Sequence, residues 1–390
     1  MRKLFVSALV ILLLSGCSAQ DSSAITISQE PVVSKSAAHS EVEVVDGIDT
    51  SKIQGKIRNI YCIAQNQVLI LADKLYIYDL VTTNILYKTD MVNFSESEFY
   101  TIDKGIAAIG TIKGDNSNGL SANSQKDNIL IVLYDNALKK TAEINSSMFV
   151  AENEFIASPQ QVAVSDDGKN IAFSTNSGLY IYNINTKTKT TLIDLSDDNN
   201  EKRCGLAWID KVVFVKSGST LAFMAQSFDV PVINGKDAYN TYGTINIDGS
   251  NLSLSERKDY TVKQFLAYND FILMADGFKA PSGKLLKLDL STMKLDTFST
   301  KTQKESGSIF GSEKGQYFAT SVVNKDNVTV RVYSMNTGSM LMEKVIVKDG
   351  FYMEREPEIR IIDDLKTCIV ILGNRQLDVS TLCLFYTLNE

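Results

Sequence analysis

The chain has 390 residues, of which 44% are hydrophobic and 22% are charged, so most of it should bury a core rather than stay disordered. This length suits one large β domain or two ordinary domains. The formal net charge of −7 at pH 7 argues against a protein that binds nucleic acid and against a basic patch on a membrane surface.

Residues 1–16 have the features of a bacterial signal peptide. Arg2 and Lys3 form a short basic region, and residues 4–14 form an apolar run that is too short to span a bilayer as a helix, which needs about 20 residues. Residues 14–17 read Leu-Ser-Gly-Cys and resemble the lipobox of bacterial lipoproteins. The resemblance implies that Cys17 carries diacylglycerol after cleavage. The alternative is an ordinary secretory signal followed by an incidental cysteine.

Residues 17–41 are predicted to be a lipidated, flexible tether. Residues 18–40 are rich in Ser, Ala, Gln and Val, and they lack turn signals and a hydrophobic period. A lipid on Cys17 would hold the domain formed by residues 42–390 at the extracytoplasmic face of the cell membrane. Stable anchoring needs two or three acyl chains, because a single chain binds reversibly.

The rest of the chain has the pattern of an all-β protein built from repeats. Apolar and polar residues alternate in short runs separated by Gly, Asn, Asp and Ser, and no window shows a sustained helical period. Residues 162–184 contain three such runs joined by two turns, and the third run ends in Asn or, in other copies, Asp. Copies of this third run occur at residues 75–80, 131–135, 179–184, 243–247, 285–290, 330–335 and 383–388.

The spacing of these copies predicts a β-propeller. The shortest intervals match the roughly 40 to 50 residues of a four-stranded blade, and the longer ones contain polar insertions. Seven copies predict seven blades, while six or eight stay open because the copy at 243–247 is weak. A short strand near residues 41–45 is expected to complete the last blade and close the ring. The most apolar runs are predicted to be inner strands, at residues 106–110, 171–173, 211–215, 271–275 and 368–372.

One repeat resembles a known kind of propeller. Residues 165–174 read Ser-Asp-Asp-Gly-Lys-Asn-Ile-Ala-Phe-Ser, and residues 178–184 follow with Gly-Leu-Tyr-Ile-Tyr-Asn-Ile. Together they resemble the WD40-like repeat of TolB-type propellers, in which Pro is common at the position of Asp166. Residues 244–252 resemble the end of another such repeat. The resemblance implies a propeller fold and identifies no functional site.

Several catalytic classes lack the residues that they need. His39 is the only histidine and lies in the predicted tether, so the domain has none for a Ser-His-Asp site, a Cys-His site or a histidine-ligated metal centre. The sequence contains no phosphate-binding Gly-x-x-x-x-Gly-Lys-Ser/Thr loop and no Cys-x-x-Cys zinc motif. We therefore expect a protein that is not an enzyme, although two carboxylates could act across a central funnel.

Two polar insertions are the candidate binding loops, because loops on a rigid β scaffold are common recognition sites. The candidate contact residues are Asp115, Asn116 and Asn118 in residues 113–128, and Phe228, Val230, Ile233 and Tyr239 in residues 226–241, with Tyr242 just beyond. The oxygen donors of the first loop could hold calcium, or the loop could be polar without an ion; no other cofactor is expected. The apolar residues of the second could contact a partner or fold down over the blade.

Two cysteines lie in the last two β-runs. If the turn between these runs centres on residues 375–376, Cys368 and Cys383 face each other, and an oxidising compartment would permit a cross-strand disulfide. The favoured alternative is that both are small apolar core residues, because ladder geometry strains such a bridge.

These observations together predict a bacterial surface lipoprotein. Its propeller, a monomeric domain, is expected to bind a protein, a peptide or an envelope glycan without catalysis, and no nucleic acid. One alternative is a carboxylate-dependent enzyme acting on envelope polysaccharide. A funnel lined by several Asp or Glu side chains would favour the enzyme, and a funnel filled by Val, Ile and Phe would exclude the enzyme. The other alternative is a sensory subunit of a transporter or membrane kinase.

Overall fold

Short antiparallel strands make up nearly all of the folded chain, as the alternating pattern predicts. The computed structural model describes residues 48–112, 128–196, 205–227, 241–256, 262–276, 284–298, 308–347, 357–372 and 382–388. The predicted signal peptide, the tether and the expected closing strand near residues 41–45 lie outside these ranges.

The described strands form seven separate sheets, which we call blades 1 to 7 in chain order. Blade 1 contains β1 (Asn59–Ala64), β2 (Gln67–Leu71), β3 (Lys74–Asp79) and β4 (Asn84–Asp90), and blade 2 contains β5 (Glu96–Ile102), β6 (Gly105–Ile112), β7 (Asn128–Asp135) and β8 (Lys140–Asn145). Blade 3 contains β9 (Val162–Val164), β10 (Asn170–Thr175), β11 (Gly178–Asn183) and β12 (Thr188–Asp194). Blade 4 contains β13 (Leu206–Val215), β14 (Thr220–Ser227), β15 (Thr241–Asn246) and β16 (Ser253–Glu256). Blade 5 contains β17 (Val262–Ala267), β18 (Phe271–Asp276), β19 (Leu285–Asp289) and β20 (Leu295–Phe298). Blade 6 contains β21 (Ser308–Gly311), β22 (Tyr317–Val323), β23 (Asn327–Ser334) and β24 (Met340–Val347). Blade 7 contains β25 (Glu358–Ile362), β26 (Thr367–Leu372) and β27 (Leu382–Thr387). Short 3-10 helices lie at Thr50–Lys52, Ser146–Met148 and Pro159–Gln161.

Each blade is a meander in which strands that follow one another in the chain are antiparallel neighbours. Six blades have four strands, and blade 7 has three within the described ranges. The prediction of an all-β, seven-bladed propeller is confirmed, and the alternatives of six or eight blades are wrong.

The recurring sequence motif is the third strand of every blade. Its copies fall in β3, β7, β11, β15, β19, β23 and β27. The acidic or amide residue at the end of the strand caps the next turn, because Oδ1 of Asp79 accepts hydrogen bonds from the N–H groups of Val81 (2.9 Å) and Thr82 (2.7 Å). Thr83 then has φ +54°, in the left-handed region. The motif therefore combines an apolar strand with the residue that ends it.

Four of the five runs predicted to be inner strands are second strands instead. Only residues 211–215 lie in a first strand, β13, whereas the other runs lie in β6, β10, β18 and β26. The prediction was wrong because it equated high apolarity with closeness to the axis. A second strand is covered by neighbouring blades on both faces, so the strand β6 is buried except at its last residue. In the first strand β5, Phe99 alone is buried, since this strand borders the channel.

Seven apolar clusters hold the blades together, one at each interface between neighbouring blades. Six of them join blades 1 to 7 in sequence. The seventh joins the last blade to the first, because Ile369 and Phe385 of blade 7 belong to one cluster with Ile60 and Tyr78 of blade 1. Every blade therefore has two packed neighbours, and the ring is closed.

Hydrogen bonds reinforce the closure between blades 7 and 1. Nε of Arg360 in β25 donates to the carbonyl oxygen of Ile60 in β1 at 2.8 Å, and Nδ2 of Asn59 donates to Oε2 of Glu358 at 3.0 Å. These contacts join residues 300 and 299 positions apart in the chain. The two ends of the described propeller are thus held by specific contacts as well as by apolar packing.

The predicted disulfide alternative for the last hairpin is wrong. Cys368 lies opposite Tyr386, and Cys383 lies opposite Ile371. Each cysteine therefore lies three positions away from the partner that a cross-strand disulfide would need, and neither forms a disulfide. Both cysteines are buried, Cys368 in the cluster shared with blade 6 and Cys383 in the cluster shared with blade 1. They serve as small apolar core residues, the alternative that strain favoured.

Candidate binding site in the axial channel

The first strand of each blade lies nearest to the axis of the ring. Neighbouring first strands contact one another: β1 contacts β5 and β25, β21 contacts β17 and β25, and β9 contacts β13. Successive side chains of a strand point to opposite sides, so each first strand directs part of its side chains into the enclosed space. We call this space the axial channel.

The channel contains two cavities that adjoin each other. The larger, of about 440 Å³, is lined by residues of β1, β5, β13, β17, β21 and β25. The smaller, of about 280 Å³, is lined by β5, β9, β13, β17 and the 3-10 helix Pro159–Gln161. Glu98, Tyr100 and Lys211 line both cavities. These three residues, which we call the channel site, stand where the two cavities meet.

Lys211 of blade 4 holds its ammonium group against the neighbouring blade. Nζ donates a hydrogen bond of 3.0 Å to the carbonyl oxygen of Phe265 and lies 4.8 Å from the centre of the Phe265 ring. Burial lowers the pKa of the Lys211 ammonium, because few water molecules can solvate its charge, and the attraction of Glu98 and Asp210 offsets only part of this effect. The surroundings of Lys211 therefore offer its charge only partial compensation.

Glu98 of blade 2 is the carboxylate of the channel site. Its side chain is exposed toward the channel and lines both cavities. Burial raises the pKa of Glu98, against the opposing attraction of Lys211 and Arg360. Glu98 and Lys211 attract each other across the channel, but they form no direct ion pair within the described structure.

Tyr100 connects the channel site to blade 3. Its hydroxyl accepts a hydrogen bond from the backbone N–H of Val164 in β9. Burial raises the pKa of Tyr100, so the hydroxyl stays protonated at neutral pH. The ring of Tyr100 thus forms a fixed, half-buried wall between the two cavities.

Arg360 also lines the larger cavity, but each of its three nitrogens already donates a hydrogen bond to the protein. Besides the bond to Ile60, its guanidinium donates to the carbonyl oxygen of Ile359 (3.3 Å) and to Oε2 of Glu358, and it lies 4.9 Å from the centre of the Tyr61 ring. Arg360 is therefore a structural cation of the ring closure and is less available to a ligand than Lys211.

Two further carboxylates lie among the lining residues. Oε1 of Glu313, in the first turn of blade 6, accepts a 3.4 Å hydrogen bond from Oγ1 of Thr101, and burial raises the pKa of Glu313. The pKa of Asp166 is raised by burial and by repulsion from Asp103 and Asp167. With Glu98, Lys211 and Arg360, the described lining is mixed in sign: it is neither an apolar plug nor a purely acidic funnel.

Of the residues proposed from sequence as binding contacts, Tyr242 is the one that lies within the described ranges. Tyr242 is buried in β15, in the cluster between blades 4 and 5, so its prediction as an exposed contact residue is wrong. Tyr242 is the second residue of β15, so it belongs to a strand and not to a loop. The other proposed residues lie outside the described ranges: Cys17, Asp115, Asn116, Asn118, Phe228, Val230, Ile233 and Tyr239.

Sequence reasoning missed Glu98, Tyr100 and Lys211. Lys211 opens the run Lys-Val-Val-Phe-Val, which was read only for its apolar content. A single charge beside an otherwise apolar strand is a signal that could have been followed, because a lysine there must reach water or a partner. Glu98 offered a weaker signal, since charges alternate with apolar residues in many solvated strands.

The described residues contain no group of three or more His, Cys, Asp or Glu side chains that could hold a metal ion. The proposed calcium donors Asp115, Asn116 and Asn118 fall in the part of the chain that is not described.

The seven sheets, with blade 7 packed against blade 1, define the fold. The chain is a seven-bladed β-propeller. It is similar to the β-propeller domain of Cps50 (Swd1) from Myceliophteria thermophila, with a TM-score of 0.54 and 10% sequence identity over 85% of this chain and 97% of that domain. Identity this low shows a shared fold and nothing about function. No protein-family model matches the sequence, and no curated protein matches it.

Proposed function

We propose that this protein is a lipid-anchored, extracytoplasmic binding module that recognises a protein, a peptide or an envelope glycan and performs no catalysis. The observation that carries the proposal is the channel site, in which Glu98 and Lys211 face a cavity on a rigid closed ring. Charged groups fixed by a rigid scaffold lose little conformational entropy when a ligand binds. The lining carries the cations Lys211 and Arg360 beside the carboxylates Glu98, Glu313 and Asp166, and charges of both signs support recognition of a polar ligand.

The lipid anchor is the part of the proposal that rests on sequence. Residues 14–17 resemble a lipobox, and residues 17–41 are long enough to separate the domain from a membrane. Within the described chain, no helix has the length and apolar character that crossing a bilayer requires. An acyl group on Cys17 would supply the membrane affinity.

We expect the full chain, expressed in a bacterial host that processes lipoproteins, to enter the detergent phase in Triton X-114 partitioning. The variant Cys17→Ser should move to the aqueous phase, because it lacks the sulfur that would carry the lipid. Cys204→Ser is the matched control and should stay in the detergent phase. An aqueous wild-type chain, or a Cys17→Ser variant that stays in the detergent phase, would contradict lipid anchoring.

Affinity capture from detergent-solubilised bacterial envelopes tests the binding function. We expect the full wild-type chain to retain a defined protein, peptide or glycan that the Lys211→Met variant retains at least about tenfold less. Lys294→Met removes an exposed lysine of blade 5, whose Nζ lies 3.0 Å from Oδ2 of Asp296, and should capture as the wild type does. Equal background on all three proteins in repeated captures would overturn the proposed function.

A further inference from the structure

The two charges of the channel site come from different blades and face the same space. Glu98 lies on β5 of blade 2 and Lys211 on β13 of blade 4, so blade 3 separates them along the chain. Both residues nevertheless line both cavities. The closed ring is what brings the carboxylate and the ammonium to one place.

Neither charge is neutralised by a direct ion pair within the described structure. The ammonium of Lys211 uses one donor on the carbonyl oxygen of Phe265, which leaves other N–H groups for a ligand. Around Glu98, the side-chain amide of Gln160 is the neutral polar group that favours the ionised carboxylate. A charge in a confined cavity is unfavourable unless a partner or water compensates it, so both groups would gain from a ligand of opposite charge.

The other charged groups near the site limit which ligands fit. Arg360 donates hydrogen bonds to Ile60, Ile359 and Glu358, so it is more committed to the protein than Lys211 is. Among the lining carboxylates, Glu313 accepts a hydrogen bond from Thr101, and Asp166 lines only the smaller cavity. A ligand with a single negative charge would bind Lys211 but meet repulsion from Glu98. A ligand with a single positive charge would meet repulsion from Lys211. Only a ligand that carries both charges satisfies both side chains.

We propose that the axial channel binds a small zwitterionic ligand, whose ammonium group contacts Glu98 and whose carboxylate contacts Lys211. The cavities, of about 440 and 280 Å³, are of the size of small-molecule sites, which span roughly 300 to 1,000 Å³. The rings of Tyr61 and Tyr100 offer apolar walls for the rest of the ligand. Free amino acids and short peptides share this chemistry. The inference rests on the proposed binding function and names the ligand class of the same site.

Isothermal titration calorimetry of the full chain in detergent micelles tests this inference with four probes. Alanine and trialanine carry both charges, N-acetylalanine carries only the negative charge, and alanine amide carries only the positive charge. We expect at least one of the two zwitterions to bind at least about tenfold more tightly than both singly charged probes. Stronger binding of alanine would indicate a free amino acid as the ligand, and stronger binding of trialanine would indicate a peptide.

Charge-removing variants assign the two contacts. Lys211→Met should remove the advantage of the zwitterion over alanine amide, and Glu98→Gln should remove its advantage over N-acetylalanine. Glu143→Gln and Lys294→Met are the matched controls on outer strands or turns, and both should bind as the wild type does. Far-UV circular dichroism checks that each variant folds. If a variant does not fold, the comparison of the four probes on the wild-type chain still tests the inference.

Equal affinity of singly charged and zwitterionic probes, or no binding of any probe to the wild-type chain, would overturn the inference. Loss of binding in the control variants to the same extent would also overturn it. If the envelope capture succeeds while all four probes fail, the binding function stands and only the zwitterionic ligand is rejected.

Discussion

Replacing Phe385 by alanine is expected to lower the free energy of unfolding by about 3 to 5 kcal/mol. Phe385 is only 2% exposed and lies in β27 of blade 7, in the cluster that joins this blade to blade 1. Truncation removes buried apolar surface and leaves a cavity that β-sheets on both sides can fill only in part. Urea denaturation followed by far-UV circular dichroism measures the change.

Val323→Ala is the control for this prediction. Val323 is 45% exposed at the end of β22, so its truncation should change the free energy of unfolding by less than about 0.5 kcal/mol. A loss below about 1 kcal/mol for Phe385→Ala would mean that blades 7 and 1 are not packed together as described.

The double variant Lys211→Met/Glu98→Gln is expected to be no less stable than the wild-type chain at neutral pH, because it removes two charges that form no ion pair within the described structure. Burial lowers the pKa of Lys211 and raises the pKa of Glu98, so the charged form of each group is less favourable here than in water, and the contribution of the exposed Glu98 is the smaller of the two. Met and Gln keep the approximate volume and shape of the original side chains.

The same variant should also change how stability depends on pH. Folding lowers the pKa of Lys211. Between its pKa in the folded chain and about 10.4, the unfolded chain therefore binds more protons than the folded chain, and the free energy of unfolding rises with pH. The pKa of Glu98 is raised on folding, so stability falls as pH rises from about 4.3 to the folded value. The double variant should lose both contributions.

Urea denaturation at a series of pH values measures these differences. The surface double variant Lys294→Met/Glu143→Gln removes the same two charges from exposed positions and should stay within about 1 kcal/mol of the wild type. Destabilisation by Lys211→Met/Glu98→Gln, with an unchanged control, would show that the two charges stabilise the folded ring and would contradict the account of the channel site.

The blade count could be predicted from sequence because the repeating signal is local. The third strand and its turn-capping residue are contiguous, as the contacts of Asp79 with Val81 and Thr82 illustrate, so one short pattern contains both. The resemblance of residues 165–184 to WD40-like repeats has the same local origin. Apolarity was less informative for the radial order of strands, since burial depends on which blades cover a strand.

The channel site could not be predicted because its members meet only through the closed ring. Glu98 and Lys211 are 113 positions apart, and nothing around either residue in the sequence indicates the other. The register of Cys368 and Cys383 was equally inaccessible, because it depends on where the last hairpin turns. The misassigned Tyr242 lies at the edge of an insertion, where sequence alone does not separate loop from strand.

The only tryptophan of the chain, Trp208, can report whether the ring is closed. Trp208 lies in β13 of blade 4, three blades away from the interface between blades 7 and 1. Phe173, which is fully buried in the cluster between blades 2 and 3, provides the matched substitution Phe173→Ala at an interior interface. In a closed ring that unfolds as one unit, damage at either interface should destabilise the surroundings of Trp208.

The most direct test is therefore the urea midpoint of Trp208 fluorescence in Phe385→Ala. A closed ring predicts a single fluorescence transition that coincides with the transition seen by circular dichroism. Its midpoint should shift to lower urea by about as much as in Phe173→Ala. A Trp208 midpoint equal to that of the wild-type chain, with a separate early transition in circular dichroism, would contradict it: blades 7 and 1 would then be the loose ends of an open array.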